Sequence, residues 1–197
     1  MNIIDRIKNI LLTPKTEWEV INGETATPAS LLTSYVLPLA VVGSLGGILG
    51  FFIFGGLAGM AFAIGTAIIG LVVTAIAFFV ASYIVDALAP SFESEKNLSK
   101  SAQLVAYSGT AGAVGSLLSF IPILGWLIAL AAWGYGAYLM YLGIGTLKKT
   151  HEDKKIIYVI VNYTIWMAAY FILIAIFSGI LLASLGGIAA IGAAGMR

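Results

Sequence analysis

Long uncharged runs separated by short charged clusters set the pattern of this chain. Residues 29–54, 60–85, 101–147 and 156–196 contain no Asp, Glu, Lys or Arg, and the charges gather in 5–24, 86–100 and 148–155. A helix needs about 20 apolar residues to cross a bilayer. The pattern predicts five such spans, over 29–54, 60–89, 101–120, 126–147 and one starting at Ile156. The last apolar run continues to Met196, about twice the length one span needs, and its end (183–197) is rich in Gly and Ala, weak helix formers in Gly's case. We therefore expect a tail there rather than a sixth span.

Ahead of the spans, Ile3, Ile4, Ile7, Ile10 and Leu11 fall at helical spacing with Asp5, Arg6 and Lys8 on the other face. This predicts an amphipathic helix on the membrane surface. Charges interrupt every candidate core for a signal peptide. Thr13-Pro14 restarts the helix, with Glu17 at the capping-box position, and Asn22-Gly23 stops it. Trp18 and Ile21 are expected to face lipid headgroups. Thr27-Pro28 repeats the start signal, Pro38 predicts a kink in the first span, and Gly55, Gly56 and Gly59 mark the turn into the second. The expected organisation is a single domain: interfacial helices in 1–27, a five-span bundle in 28–182, and the tail.

Composition agrees with an all-α, polytopic membrane protein. The chain is 60% hydrophobic and 10% charged, against about 25% charged residues in ordinary soluble domains. Its net charge of +1 does not point to nucleic acid, and the absence of cysteine excludes disulfides and thiolate metal sites. With the N-terminus inside, nine basic residues from Arg6 to Lys155 fall on inner segments and only Arg197 falls outside. The positive-inside rule then predicts a cytoplasmic N-terminus.

Few residues suggest chemistry. Asp86 is a carboxylate embedded in apolar sequence near the end of a span, a position that marks either a proton or cation relay or a structural hydrogen bond to the following loop or a tyrosine. Asp86, Gln103, Tyr107, Tyr138 and Asn162 all fall in the inner half of the bundle and form a candidate polar cavity. Interfacial tyrosines such as Tyr141 and Tyr158 ordinarily form an aromatic belt. Gly43, Gly46, Gly47 and Gly50, with Ser108, Gly112 and Ser116, make small-residue faces suited to close helix packing, within one bundle or between copies. His151 stands alone in a charged loop, and the lysines from Lys148 to Lys155 are accounted for by topology, with anionic lipid contact as a further role. No catalytic set, metal site or cofactor motif is visible, and an intramembrane enzyme would need a basic or nucleophilic partner for Asp86.

Four stretches carry a family resemblance: Arg6-Ile-Lys-Asn-Ile-Leu-Leu-Thr-Pro-Lys-Thr-Glu-Trp18, Leu104-Val-Ala-Tyr-Ser-Gly-Thr110, Ile121-Pro-Ile-Leu-Gly-Trp126, and the segment from Tyr138 to Lys155. In this order they resemble the bacterial branch of the Yip family, the Ypt/Rab-interacting membrane proteins. The resemblance implies five spans, a cytoplasmic N-terminus and, in eukaryotic relatives, small-GTPase binding within hetero-oligomers of vesicle traffic. A chain without their long N-terminal region is not expected to carry the GTPase role. Members often place a proline where this chain has Ala111.

Two functions follow as expectations. The first is a non-enzymatic membrane protein of the bacterial inner membrane, an oligomeric scaffold or accessory subunit whose partners are lipids, further copies or other membrane proteins. The alternative is a small transporter or channel with a pathway near Asp86, Gln103 and Asn162.

Overall fold

The computed structural model describes the backbone of residues 2–194; side chains are described for these residues except 61, 178 and those from 180 onward. All regular structure among the described residues is helical. Two short helices, α1 (Ile3–Leu12) and α2 (Pro14–Gly23), precede the helices α3 (Pro28–Met60) and α4 (Phe62–Phe92). Then come α5 (Leu98–Ser108), α6 (Thr110–Ser116), α7 (Leu124–Lys148) and α8 (Glu152–Ala194). Within the described residues, α3, α4, α7 and α8 are long and apolar enough to cross a membrane.

The local start and stop signals act where the residues place them. Asn2 accepts from the Ile4 amide and caps α1, α2 ends at Gly23, and Thr27 forms a reciprocal capping box with Ser30 at the head of α3. Glu17 departs from its expected capping role. Its carboxylate is taken by the guanidinium of Arg6, which offers a full opposite charge as well as hydrogen-bond donors.

Pro38 is accommodated by a π turn over Leu32–Val36, in which the Leu37 amide donates to the Leu32 carbonyl. A wider turn relieves the clash between a proline ring and the carbonyl of the preceding turn. The chain then reverses at Gly56, whose φ of 59° and ψ of −149° lie outside helical space. Phe51 and Phe62 confirm the reversal, since their rings stand 5.6 Å apart; eleven residues of straight helix would separate them by about 16 Å. The close return is possible because a Cβ on Gly59 would collide with the Phe51 carbonyl.

The expected third span is not one helix. It is divided at Gly109 into α5 and α6, and the chain from Leu117 onward forms turns rather than helix as far as Ile123. Small residues dominate this segment, and Thr110 Oγ1 and Ser116 Oγ donate to carbonyls one turn back, at Tyr107 and Ala113. Such hydroxyls compete with the helical ladder. The segment also occupies the centre of the bundle: Ser101, Ala102, Gln103, Leu104, Ala106, Tyr107, Ser108, Thr110 and Ala111 are all buried. Shielded from lipid by α3, α4 and α7, it tolerates a polarity that a lipid-facing helix would not.

Glycine sets the closest approach. A Cβ on Gly43 would strike Ser116, one on Gly46 would strike the Ser116 and Leu117 carbonyls, and one on Gly50 would lie 3.2 Å from Phe120 Cα. That row of α3 is therefore seated against the end of α6 and the turn behind it. Gly47 and Gly112, by contrast, meet nothing within 4 Å. Elsewhere large apolar side chains such as Phe54, Leu57, Ile68, Phe171 and Ile172 face outward, as a lipid-exposed surface requires.

The two N-terminal helices are packed into the bundle more deeply than an interfacial placement predicts. Trp18, 1% exposed, and Ile21 are buried in the core rather than facing headgroups. The reason is Gly143 on α7, whose missing side chain leaves the space that the Trp18 indole fills. Helix α8 continues to Ala194, so the backbone of the Gly/Ala-rich tail is helical to that point, and 195–197 lie outside the described residues.

Replacing Gly46 by Ala should lower stability by about 1–3 kcal/mol through overpacking, whereas Gly47→Ala, one residue along the same helix, should leave it unchanged or slightly raised. Thermal unfolding of the two variants in detergent checks this contrast.

Candidate functional site

Ionisable and polar side chains gather at one end of the bundle, where α1, α2 and the loops before α5 and α8 meet. Two buried charged groups organise it. In the first, Arg6 on α1 pairs with Glu17 on α2 and with Glu24 beyond it. Its guanidinium also lies 5.2 Å from the centroid of the Tyr107 ring. Tyr107 in turn packs edge-on to Tyr35 and Trp18, and Tyr35 Oη is 2.7 Å from Thr110 Oγ1. Arg6, placed by periodicity on a solvated face, is instead buried. A buried cation is tolerable here because two carboxylates and an aromatic face compensate it.

The second group is built on Asp86, near the end of α4. Lys148 Nζ, from the last residue of α7, donates to Asp86 Oδ1 at 3.0 Å and to Ser101 Oγ at 2.8 Å. Ser101 Oγ lies 3.2 Å from the same carboxylate oxygen. Lys148 is 0% exposed. It is therefore not a solvated loop lysine, and Asp86 does have the basic and nucleophilic neighbours that its sequence surroundings do not reveal. Lys148 Nζ also donates to the Asn97 carbonyl at 3.3 Å, and none of Asp86, Ser101 or Lys148 lines either of the cavities described below. The arrangement holds three helices together, with Ser101 fully buried between them.

Around this pair the loops are laced together. Tyr158, expected in an aromatic belt, is fully buried; its hydroxyl donates to the Val85 carbonyl and its ring stacks on Phe92 at 4.5 Å. Ser94 Oγ and Thr150 Oγ1 are 2.8 Å apart, and the Glu95 amide donates to the Lys148 carbonyl. Lys149 pairs with Glu95, Lys154 with Glu93, and Lys155 with Glu152. Lys154 holds the Glu93 carboxyl below its ordinary range, although exposed pairs of this kind contribute little to stability. His151 is exposed.

The five residues of the candidate polar cavity are distributed over separate environments. Asp86 belongs to the ion pair and Tyr107 to the Arg6 cluster. Tyr138 is exposed and leans on Tyr135, whose hydroxyl donates to the Leu11 carbonyl at 2.7 Å. Gln103 lines a cavity of about 550 Å³ between the α2–α3 loop and the start of α5. Asn162 lines a smaller one of about 80 Å³ with Ser108, Met140, Tyr163 and Trp166. Both amides are 1% exposed, and Gln103 Oε1, Asn162 Nδ2 and Ser108 Oγ have no hydrogen-bond partner among the described residues.

Sequence reasoning missed Lys148, Ser101 and Arg6. Lys148 had one available signal, its place as the last residue of an apolar run, where a long side chain can turn back toward the bundle.

Comparison with known families gives one finding: the Yip1 domain matches residues 8–176. Comparison with curated proteins and with solved structures gave no match.

Substituting Lys148 by Met should cost about 3–5 kcal/mol, because it leaves the Asp86 charge buried without its partner. The double variant Asp86→Asn, Lys148→Met should recover a large part of that loss. A double-mutant cycle of thermal stabilities reads the coupling directly.

Proposed function

We propose, from the premise that the chain belongs to the Yip1 domain family, that this membrane protein works without chemistry of its own, as an oligomeric scaffold or accessory subunit for other membrane proteins and lipids. The observation that carries this reading is the employment of its buried charges. Arg6, Glu17, Asp86 and Lys148 are all engaged in holding one helix to another, and none of Asp86, Ser101 and Lys148 lines either of the two cavities described above. Proteins that move or transform a polar substrate keep such groups beside an open path.

In this reading α3, α4, the α5–α6 pair, α7 and α8 are five crossings, the third being short because neighbouring helices shield it. The basic residues of the charged end then set the orientation by the positive-inside rule, with α1 and α2 at the cytoplasmic face of a bacterial inner membrane. Open glycine positions on the lipid-facing surface, Gly47, Gly65 and Gly70, where nothing lies within 4 Å, offer close approach to a second chain. The cavity at Asn162 is the observation on the side of a transporter or channel, but neither Asp86 nor Gln103 lines it.

Native mass spectrometry of the tagged protein drawn from its own membranes in mild detergent tests the proposal. Homo-oligomers or a stoichiometric protein partner, retained equally by wild type and Asp86→Asn, are the expected result. Gly47→Leu should reduce self-association without lowering thermal stability. A monomer with no co-purifying protein would overturn the scaffold reading.

A further inference from the structure

The smaller cavity lies where α8 passes the break between α5 and α6. Ser108 and Gly109 line it from the break, Asn162, Tyr163 and Trp166 from α8, and Met140 from α7. No charged residue lines it. Two polar side chains in its wall are unanswered: Asn162 Nδ2 and Ser108 Oγ have no hydrogen-bond partner among the described residues, although Asn162 is 1% exposed and Ser108 4%. Thr110 and Ser116, on the same segment, return their hydroxyls to carbonyls one turn back. Ser108 does not. Two buried donors lining one cavity call for an acceptor from outside the chain.

The cavity reaches the surface of the bundle on the α8 side, where Tyr163 and Trp166 are only half-buried. Gly109 is exposed between the buried Ser108 and Thr110. A Cβ on Gly109 would meet only the carbonyls of its own preceding turn, Val105 and Ala106, so no other helix fills the space in front of it. Depth follows from α8. Asn162 lies six residues past Ile156, where the uncharged run begins, about 9 Å along the helix. Trp133, Tyr163 and Trp166 pack edge-on beside it, and such rings settle at the boundary between headgroups and hydrocarbon. At that boundary a glycerolipid carries its acyl ester carbonyls.

We propose that this cavity receives an acyl ester carbonyl of a glycerolipid from the surrounding bilayer, its oxygen accepting from Asn162 Nδ2 and Ser108 Oγ while the acyl chain runs out past Trp166. An ester carbonyl is an uncharged acceptor, as an uncharged pocket with two orphaned donors requires. A phosphate or an ammonium would be stranded there without a counter-charge. The volume, about 80 Å³, admits a group of a few heavy atoms, since a water takes about 30 Å³ in the liquid. The rest of the ligand therefore lies outside, against a surface built for lipid. The site needs only the membrane placement and is independent of the scaffold reading.

The test uses the full-length protein, stripped of lipid in detergent and titrated in native mass spectrometry with two phosphatidylcholines of equal chain length, one ester-linked and one ether-linked. They share headgroup and chains and differ in the carbonyls alone. Wild type should retain the ester lipid about tenfold better, the effect of satisfying a buried donor. Asn162→Leu should abolish that preference while leaving the lipid-free protein as stable as wild type or more so, because an unsatisfied donor has been removed. Gly109→Leu fills the opening at a φ of −69° that any residue adopts, and should also remove the preference. Equal retention of the two lipids by wild type, as a cavity holding only water would give, or a preference that survives Asn162→Leu, overturns the proposal. If Asn162→Leu does not fold, an undiminished preference in Gly109→Leu overturns it. Displacement of the lipid by the short soluble ester triacetin at equal concentration overturns the lipid assignment in favour of a small ligand.

Discussion

An ammonium cannot be buried beside lipid without its carboxylate, and the contact between Lys148 and Asp86 is the constraint on which the charged end of this bundle rests. The two residues close the ends of α7 and α4, and Ser101 brings α5 into the same contact. Because the attraction between charges rises as the local dielectric falls, such a pair tolerates little displacement. The positions of Tyr158 on Val85 and of Ser94 against Thr150 follow from it, since both lie within a few residues of the pair.

With that end fixed, the middle of the molecule can be loosely specified in polarity. The α5–α6 segment is surrounded by other helices, so it carries Gln103, Ser108 and Thr110 where a lipid-facing helix would carry Leu or Ile. Gly43, Gly46 and Gly50 bring α3 close enough to provide the cover. Close packing by small residues and burial of a polar segment are thus one arrangement, because only a tightly enclosed segment keeps its hydroxyls and amides away from hydrocarbon. The same arrangement separates Gln103 from Asn162, each beside its own cavity.

Local rules made much of this legible. The capping box at Thr27, the stop at Gly23 and the reversal at Gly56 depend on residues adjacent in the chain. The division of the third apolar segment at Gly109 was less so. Its small residues suggest a packing face; Ser116 does meet α3 at Gly43, whereas Gly112 meets nothing within 4 Å, and the hydroxyls of Thr110 and Ser116 turn back onto the helix backbone. Trp18 was misread because an indole after Thr13-Pro14 has the local look of an interfacial anchor, and nothing near it announces the gap that Gly143 leaves on α7.

What the sequence by itself determined was class and polarity: an all-helical membrane protein with all but one of its basic residues toward one end and glycines at the turn between the first two long helices. Hydropathy, periodicity and end signals are properties of neighbouring residues, and they need no knowledge of the fold. Only the tertiary structure decided which lysine is buried, since Lys148 meets Asp86 across 62 positions of chain while Lys149 beside it remains exposed. The physical reason is that burial of a charge is settled by its partner, and the partner is chosen by how helices pack.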